Sequence, residues 1–333
     1  MTHALLSFLG RNLIKGISLL IAVSVLAFIL VSVSPIDPLR SNVGEAAMAA
    51  MSPEQIEKLQ AYWGTDQAPL QRYLHWAGDF IRGDMGTSLL YRQPVAQIIM
   101  ERFSNSFLLL ALAWVLSGIL GLVLGVIAGS RRRSWLDKAI KGGALVIAST
   151  PAFWLALVLL MVFAVHWPIF PIGFSMPIGI IASEVGWGDR LFHLVLPALT
   201  LSLVGMANII LHTREKMIDI MESDYVLYAQ ARGESHSKIV RRHGLRNVLL
   251  PAMTLQFASI SEIFGGSVLV EQVFSYPGLG QAAVQSGLGG DVPLLLGIAV
   301  ISAAIVFTGN LIANLLYGVI DPQIRRGQMY ASR

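Results

Sequence analysis

The sequence predicts an all-α membrane protein of about six transmembrane helices. Of its 333 residues, 55% are hydrophobic and 13% charged, where a soluble domain carries about 25% charged residues. The apolar residues fall in long uninterrupted runs, and the mean hydropathy is +0.65. The charges between those runs alternate in sign along the chain, as they do when successive loops lie on opposite sides of a membrane.

A helix crossing the bilayer needs about 20 mostly apolar residues. Six segments meet that length: 16–33, 106–129, 139–165, 191–211, 249–270 and 294–317. The first is long for the core of a signal peptide, and Pro35-Ile36-Asp37-Pro38 lacks the small residues of a cleavage site, so it is expected to remain as a span. Residues 1–15, 130–141, 213–247 and 319–333 carry net charges of +2, +4, +2 and +2, whereas 34–105, 166–190 and 271–293 carry −2, −1 and −2. The positive-inside rule then puts both termini in the cytoplasm, with Arg131-Arg132-Arg133 as the strongest short signal. The expected organisation is a cytoplasmic N-terminus (1–15), a first span (16–33), an extracytoplasmic helical loop (34–105), a core of five spans (106–320) containing the cytoplasmic stretch 213–248, and a cytoplasmic tail (321–333).

The loop 34–105 carries helix signals of its own. Ser52-Pro53-Glu54-Gln55 reads as a capping box with proline in the first turn. Ile56, Leu59, Tyr62 and Trp63 then fall on one face, and Gly64 is placed to end the helix. After Pro69 a second helix is expected, with Leu70, Tyr73, Leu74, Ala77 and Ile81 as its apolar face. The pair would lie over the membrane mouth or form a small stabilising cap.

In the stretch 213–248, Met217, Ile220, Met221, Tyr225 and Tyr228 keep helical spacing. Ala229-Gln230-Ala231-Arg232-Gly233 ends in a glycine, which can take the left-handed conformation that turns a chain sharply. A short helix is expected to follow through Ser237, Lys238, Val240 and Arg241, before Leu245-Arg246-Asn247 and Pro251 return to the membrane. A rigid helix between two spans suits docking into a groove on a soluble partner; a solvated basic loop is the plainer alternative.

Other residue choices narrow the chemistry. Cysteine is absent, which excludes disulfides, thiolate metal sites and a cysteine nucleophile. A net charge of +4 is too small to point to nucleic acid. No G-x-x-x-x-G-K-[ST] loop occurs, so the sequence offers no phosphate cradle of that kind. A secondary transporter would call for inverted repeats and midplane carboxylates, a channel for a filter or charged ring, and a membrane enzyme for a nucleophile–base set within a span; none of these patterns is evident. His166, His193 and His212 lack metal-ligand spacing and read as interfacial packing. Gly118, Gly121, Gly125 and Gly129 recur along one side of the second span and would let a neighbouring helix approach closely. Glu262 is the one acidic residue deep inside a predicted span, facing either a solute pathway or a partner subunit, and Asn310 and Asn314 are expected to bond across helices.

The stretch 213–248 carries a resemblance. Asp224-Tyr225-Val226, Ala229-Gln230-Ala231-Arg232-Gly233 and His243-Gly244-Leu245-Arg246-Asn247 with Pro251 resemble the EAA-type coupling region of binding-protein-dependent ABC importer permeases. The match is to the dipeptide, oligopeptide and nickel family, in the B-type subunit with a large first external loop. Three further blocks agree in order: Gly83-Asp84-Met85-Gly86-Thr87-Ser88, Ser149-Thr150-Pro151-Ala152-Phe153-Trp154, and Glu271 through Gly280 with Phe274, Pro277 and Gly278 in place. Leu227 and Tyr228 depart from the first two positions of the EAA triplet, and Gly244 stands where the family more often has alanine.

What the resemblance implies is a type I ABC importer permease in a prokaryotic cytoplasmic (inner) membrane. A second permease subunit, two cytoplasmic ATPase subunits and an extracytoplasmic substrate-binding protein would be its partners in the lipid bilayer. ATP and magnesium would bind the ATPase subunits, with no cofactor, metal or catalytic residue in this chain. Ala229, Ala231, Arg232, Gly233, Glu234, Ser235, Lys238 and Arg241 would couple it to ATP hydrolysis, and Glu262, Ser149 and Thr150 would border the solute path. The solute would be a di- or oligopeptide, or alternatively nickel or a metal chelate.

Overall fold

The computed structural model describes residues 2–34, 38–63, 68–181 and 184–320, with side chains described over 10–34, 41–44, 46–59, 68–181 and 184–313. In order, its helices are α1 (Thr2–Val33), α2 (Pro38–Val43), α3 (Glu45–Ala49), α4 (Pro53–Trp63), α5 (Pro69–Ile81), α6 (Val95–Ser130), α7 (Trp135–Ala148), α8 (Ala152–Leu160), α9 (Trp187–Met221), α10 (Asp224–Ala231), α11 (His236–Ile239), α12 (Leu245–Ala258), α13 (Ile260–Val273), α14 (Leu279–Leu288) and α15 (Val292–Ile320). Widened π-type turns continue α8 over Met161–His166 and join α11 to α12 over Val240–Gly244. No strand is present among the described residues. Among the described residues, four helices are long and apolar enough to cross a membrane, or up to six spans if two bent pairs each count as one.

Those bent pairs correct two expected straight spans. The segment 139–165 is α7 and α8 set at 110°. The break falls at Ser149-Thr150-Pro151, where the proline offers no N–H and disfavours helical geometry in the residue before it; Thr150 Oγ1 folds back to the Val146 carbonyl at 2.7 Å. The segment 249–270 is α12 and α13, bent by 46° at Ser259, whose hydroxyl bonds the Gln256 carbonyl at 2.8 Å. Pro251 sits inside α12.

The chain divides into two compact units. The first is Met1–Ser106 with Pro277–Phe307. Val95, Ile98 and Ile99 pack there on Leu279, Ala282, Leu294 and Ile298. The fully buried Asp291 caps α15 through the Leu294 N–H (3.2 Å) and accepts from Ser88 Oγ (2.5 Å) and the Leu90 N–H (3.0 Å). This anchors the turn containing Gly83 to Ser88. The capping box of α4 forms as expected, with Ser52 N–H on Gln55 Oε1 at 2.9 Å and Gln55 N–H on Ser52 Oγ at 3.3 Å; Gly64 lies outside the described residues.

Helix α5 forms as expected, with most of its apolar face left uncovered by the rest of the chain. Leu70, Leu74 and Ile81 are exposed, at 69%, 59% and 85%. Packed on α1 are Arg72, over the Phe28 ring and bonded to Ser32 Oγ, and Tyr73, against Phe28 with its hydroxyl 2.9 Å from Ser24 Oγ. The hydroxyl and guanidinium find partners on α1 that leucines could not use.

The second unit is Phe107–Tyr276 with Thr308–Arg333. Helix α9 is its centre, packed by α7, α8, α12 and α13. The glycine stripe of α6 works within the chain. A Cβ at Gly121, Gly125 or Gly129 would stand 2.8, 2.6 or 2.5 Å from the Cβ of Ile209, Thr213 or Met217 on α9, and Gly118 abuts Gln256 of α12. Only a side chain of hydrogen permits that approach. Asn310 Oδ1 accepts from Ser261 Oγ at 2.9 Å, the expected cross-helix bond; the Asn314 side chain lies outside the described residues. His193 is buried, with Nδ1 2.8 Å from the Gly173 carbonyl, a packing role.

Candidate coupling site

Helix α9 runs well past residue 211, the expected end of its span, so that Met217, Ile220 and Met221 belong to it. It stops at Glu222 and Ser223, and Ser223 leads into α10. Two side chains of α10 are buried, Val226 and Ala229, packed with Met217, Ile220, Ile239 and Val248. The opposite face is open: Tyr225, Leu227 and Tyr228 are 46%, 58% and 66% exposed. Arg232 lies over the Tyr228 ring at 5.9 Å.

The end of α10 is a Schellman cap. The Gly233 N–H bonds the Gln230 carbonyl (2.8 Å), the Glu234 N–H bonds the Ala229 carbonyl (3.1 Å), and Gly233 takes φ +78°. No atom lies within 4 Å of a Cβ built on Gly233. The glycine is therefore required by backbone conformation and not by space. Glu234, largely buried, reaches toward Lys238 Nζ (3.9 Å) and His243 Nε2 (3.8 Å), and the Tyr225 ring stands against His243.

This arrangement corrects the expected place of the projecting helix. The segment after Gly233 does not stand free: α11 continues through the widened turn into α12, giving one helical run from His236 to Ala258. The short separate helix is α10, ahead of the glycine. Buried Gly244 explains the continuity, because Met217 packs where a side chain there would sit, holding the turn against α9. Of the coupling residues named from sequence, Ala229 is in the core, Glu234 is largely buried, and Ala231, Arg232, Gly233, Ser235, Lys238 and Arg241 are exposed.

Beside this site lies a contact that sequence reasoning missed. Arg214 of α9 grips Asp137 of α7 bidentately, Nε to Oδ1 at 2.5 Å and Nη2 to Oδ2 at 2.9 Å, and both side chains are buried. Asp137 also accepts from the Arg133 N–H at 2.8 Å, and Ser134 Oγ caps α7 by accepting from the Asp137 N–H at 3.2 Å. The Ser134-x-x-Asp137 spacing was the available signal. Arg132 pairs with Glu222 at the end of α9.

The other named residues are not brought to this site. Ser149 is exposed and Thr150 half-buried, both at the α7–α8 break. Glu262 is exposed in the first turn of α13, on the side of Ser261, Gly265 and Leu269. The fully buried acids are elsewhere: Glu271 at 0% exposure and Asp291 at 0%, with Asp137 at 2%. Burial and the neighbouring Glu271 raise the Tyr276 hydroxyl above its ordinary pKa.

Residues 121–326, which include this whole site, match the family model described as "Binding-protein-dependent transport system inner membrane component". The chain belongs to that family. The permease is also 34% identical to the oligopeptide transport system permease protein AppB of Bacillus subtilis, over 96% of this chain and 99% of that one. It is 32% identical to the dipeptide transport system permease protein DppB of Escherichia coli K12, over 96% and 99%. A putative peptide transport system permease protein of Brucella abortus is 32% identical over 95% and 98%. The expectation of a multi-pass inner-membrane transport component is met, and the resemblance holds along nearly the whole permease.

Proposed function

We propose that this permease is one transmembrane subunit of a binding-protein-dependent ABC importer that translocates di- or oligopeptides by ATP-driven alternating access. The observation that carries the reading is α10: a short capped helix, rooted by Val226 and Ala229, with Tyr225, Leu227 and Tyr228 left uncovered. Two cytoplasmic ATPase subunits, binding ATP and magnesium, would take that face into a groove. Their closure would push α10 against α9 and the run His236–Ala258. A second permease subunit would complete the pathway, and a binding protein would deliver solute from the other side. The named relatives are peptide permeases, which favours peptides over nickel or a metal chelate. Ser149, Thr150 and the exposed Glu262 are proposed to border the path; Glu262 would favour a solute with a free amine.

The lever is tested at Gly233. A valine there must adopt a left-handed backbone conformation that costs about 1–2 kcal/mol even for an unbranched residue. Gly233→Val should insert and assemble, while substrate-stimulated ATP hydrolysis by the complex falls; unchanged coupled transport would refute the lever. Orientation has its own test in this cysteine-free chain. An impermeant thiol reagent on intact cells should label Glu57→Cys and spare Ser235→Cys, and the reverse pattern would invert the topology. For the pathway, Glu262→Gln should lower uptake of a free-amine peptide more than that of its acetylated form at equal complex yield. Equal uptake of both would remove Glu262 from selection.

A further inference from the structure

Within the first unit a cavity of about 910 Å³ is enclosed by α1, the helices that follow it and the start of α15. Most of its wall is apolar, with Phe28, Leu59 and Leu296 contributing. The charged side chains lining it are Arg72 and Arg92, and no carboxylate lines it among the described residues. Two donors there are shielded from water and have no hydrogen-bond partner: Arg72 Nε and Trp76 Nε1. A buried donor without an acceptor is costly, so a site that keeps two of them beside a cavity is suited to an acceptor from outside the chain. Arg72 is held in place by Ser32 Oγ at 3.3 Å and by stacking on Phe28, both near the end of the spanning helix α1. The outward face of the same α5 carries the exposed Leu70, Leu74 and Ile81. A helix with that outer face, packed on the last turns of a span, lies in the membrane interface, where the abundant amphiphile is lipid.

We infer that this cavity holds the headgroup of an anionic phospholipid. Its phosphate accepts from Arg72 Nε and the Trp76 indole N–H with Arg92 alongside, and an acyl chain runs against Phe28 and Leu296. Planar guanidinium suits phosphate, and mixed apolar and cationic walls suit an amphiphile over a free ion. The proposal does not depend on which solute the permease carries.

The experiment uses the full-length chain in the complex it forms, reconstituted into nanodiscs of equimolar phosphatidylglycerol and phosphatidylcholine. After detergent washing, retained lipid is counted by native mass spectrometry. Phosphatidylglycerol should be retained selectively. Trp76→Phe keeps the ring and removes one donor, and should lower retention by about tenfold, the loss of one hydrogen bond to a charged group. Arg72→Gln should abolish it; should that change loosen α5, Trp76→Phe decides alone. Equal retention of the two lipids, or full retention in Trp76→Phe, overturns the assignment. Displacement of the lipid by inorganic phosphate would make this a simple anion site, and displacement by a free-acid dipeptide but not its amide would make it a peptide carboxylate site. Either outcome refutes the lipid, and resistance to both supports it.

Discussion

Helices α1 and α9 are both apolar enough to cross a membrane, yet 17% of the most apolar stretch of α1 is buried within the chain and 67% of that of α9. Hydropathy does not separate them, because lipid and a neighbouring helix are equally apolar surroundings. What separates them is the chance of close approach and polar pairing. Helix α9 meets a glycine stripe on α6 and a buried carboxylate on α7. Helix α1 turns Ile17, Leu26 and Leu30 outward, for lipid or for another subunit.

The strongest way to break this contrast is at the buried pair. Arg214→Met leaves Asp137 as an uncompensated buried charge and should cost about 3–5 kcal/mol, read as lost unfolding midpoint and yield in detergent. Adding Asp137→Leu should restore most of that loss. If the double variant is no better than the single one, the pair is not what joins α7 to α9.

Next is the stripe. Gly129→Val drives a side chain into the Arg214 carbonyl and Met217, and overpacking of this kind costs about 1–3 kcal/mol. Its control, Gly142→Ala, has nothing within 4 Å of the added Cβ and lies within α7. There the helix should gain up to about 1 kcal/mol. The same unfolding assay should therefore move in opposite directions for these two glycine changes, and movement in one direction would mean that close approach does not explain α6.

The smallest effect is expected on α1. Leu30→Ala, at a side chain 66% exposed, should change the stability of the isolated chain by no more than about 0.5 kcal/mol. A large loss in the assembled complex but not in the isolated chain would sharpen the comparison, showing that a partner subunit covers what this chain leaves open.

Much of the candidate coupling site could be read locally. The glycine after Ala229-Gln230-Ala231-Arg232 does take positive φ, because a run of helix-formers ending in glycine carries its own stop signal. What could not be read was which of the two flanking segments stands apart. The residues from His236 onward hold no breaker before Ser259 strong enough to end the helix; Pro251 is absorbed within it. The interrupted third span was missed for a related reason. Ser149-Thr150-Pro151 was visible as a motif, but a run of apolar residues on both sides looks the same whether it is straight or bent by 110°. On α5 the spacing marked the apolar residues Leu70, Leu74 and Ile81, but not that Ser32 on α1 would draw Arg72 inward.

By itself the sequence determined the membrane class, the helical content, the helices between the first two spans and the turn at Gly233. Each follows from patterns within about 20 residues, the reach of a single helix and its caps. Only the tertiary structure decided that Glu262 is exposed while Asp137, Glu271 and Asp291 are buried, and that α9 is the centre of the second unit. The physical reason is that a charge can be buried only where a partner from elsewhere in the chain satisfies it. Asp137 and Arg214 are 77 positions apart, and Ser88 and Asp291 are 203. No local pattern records that those positions meet.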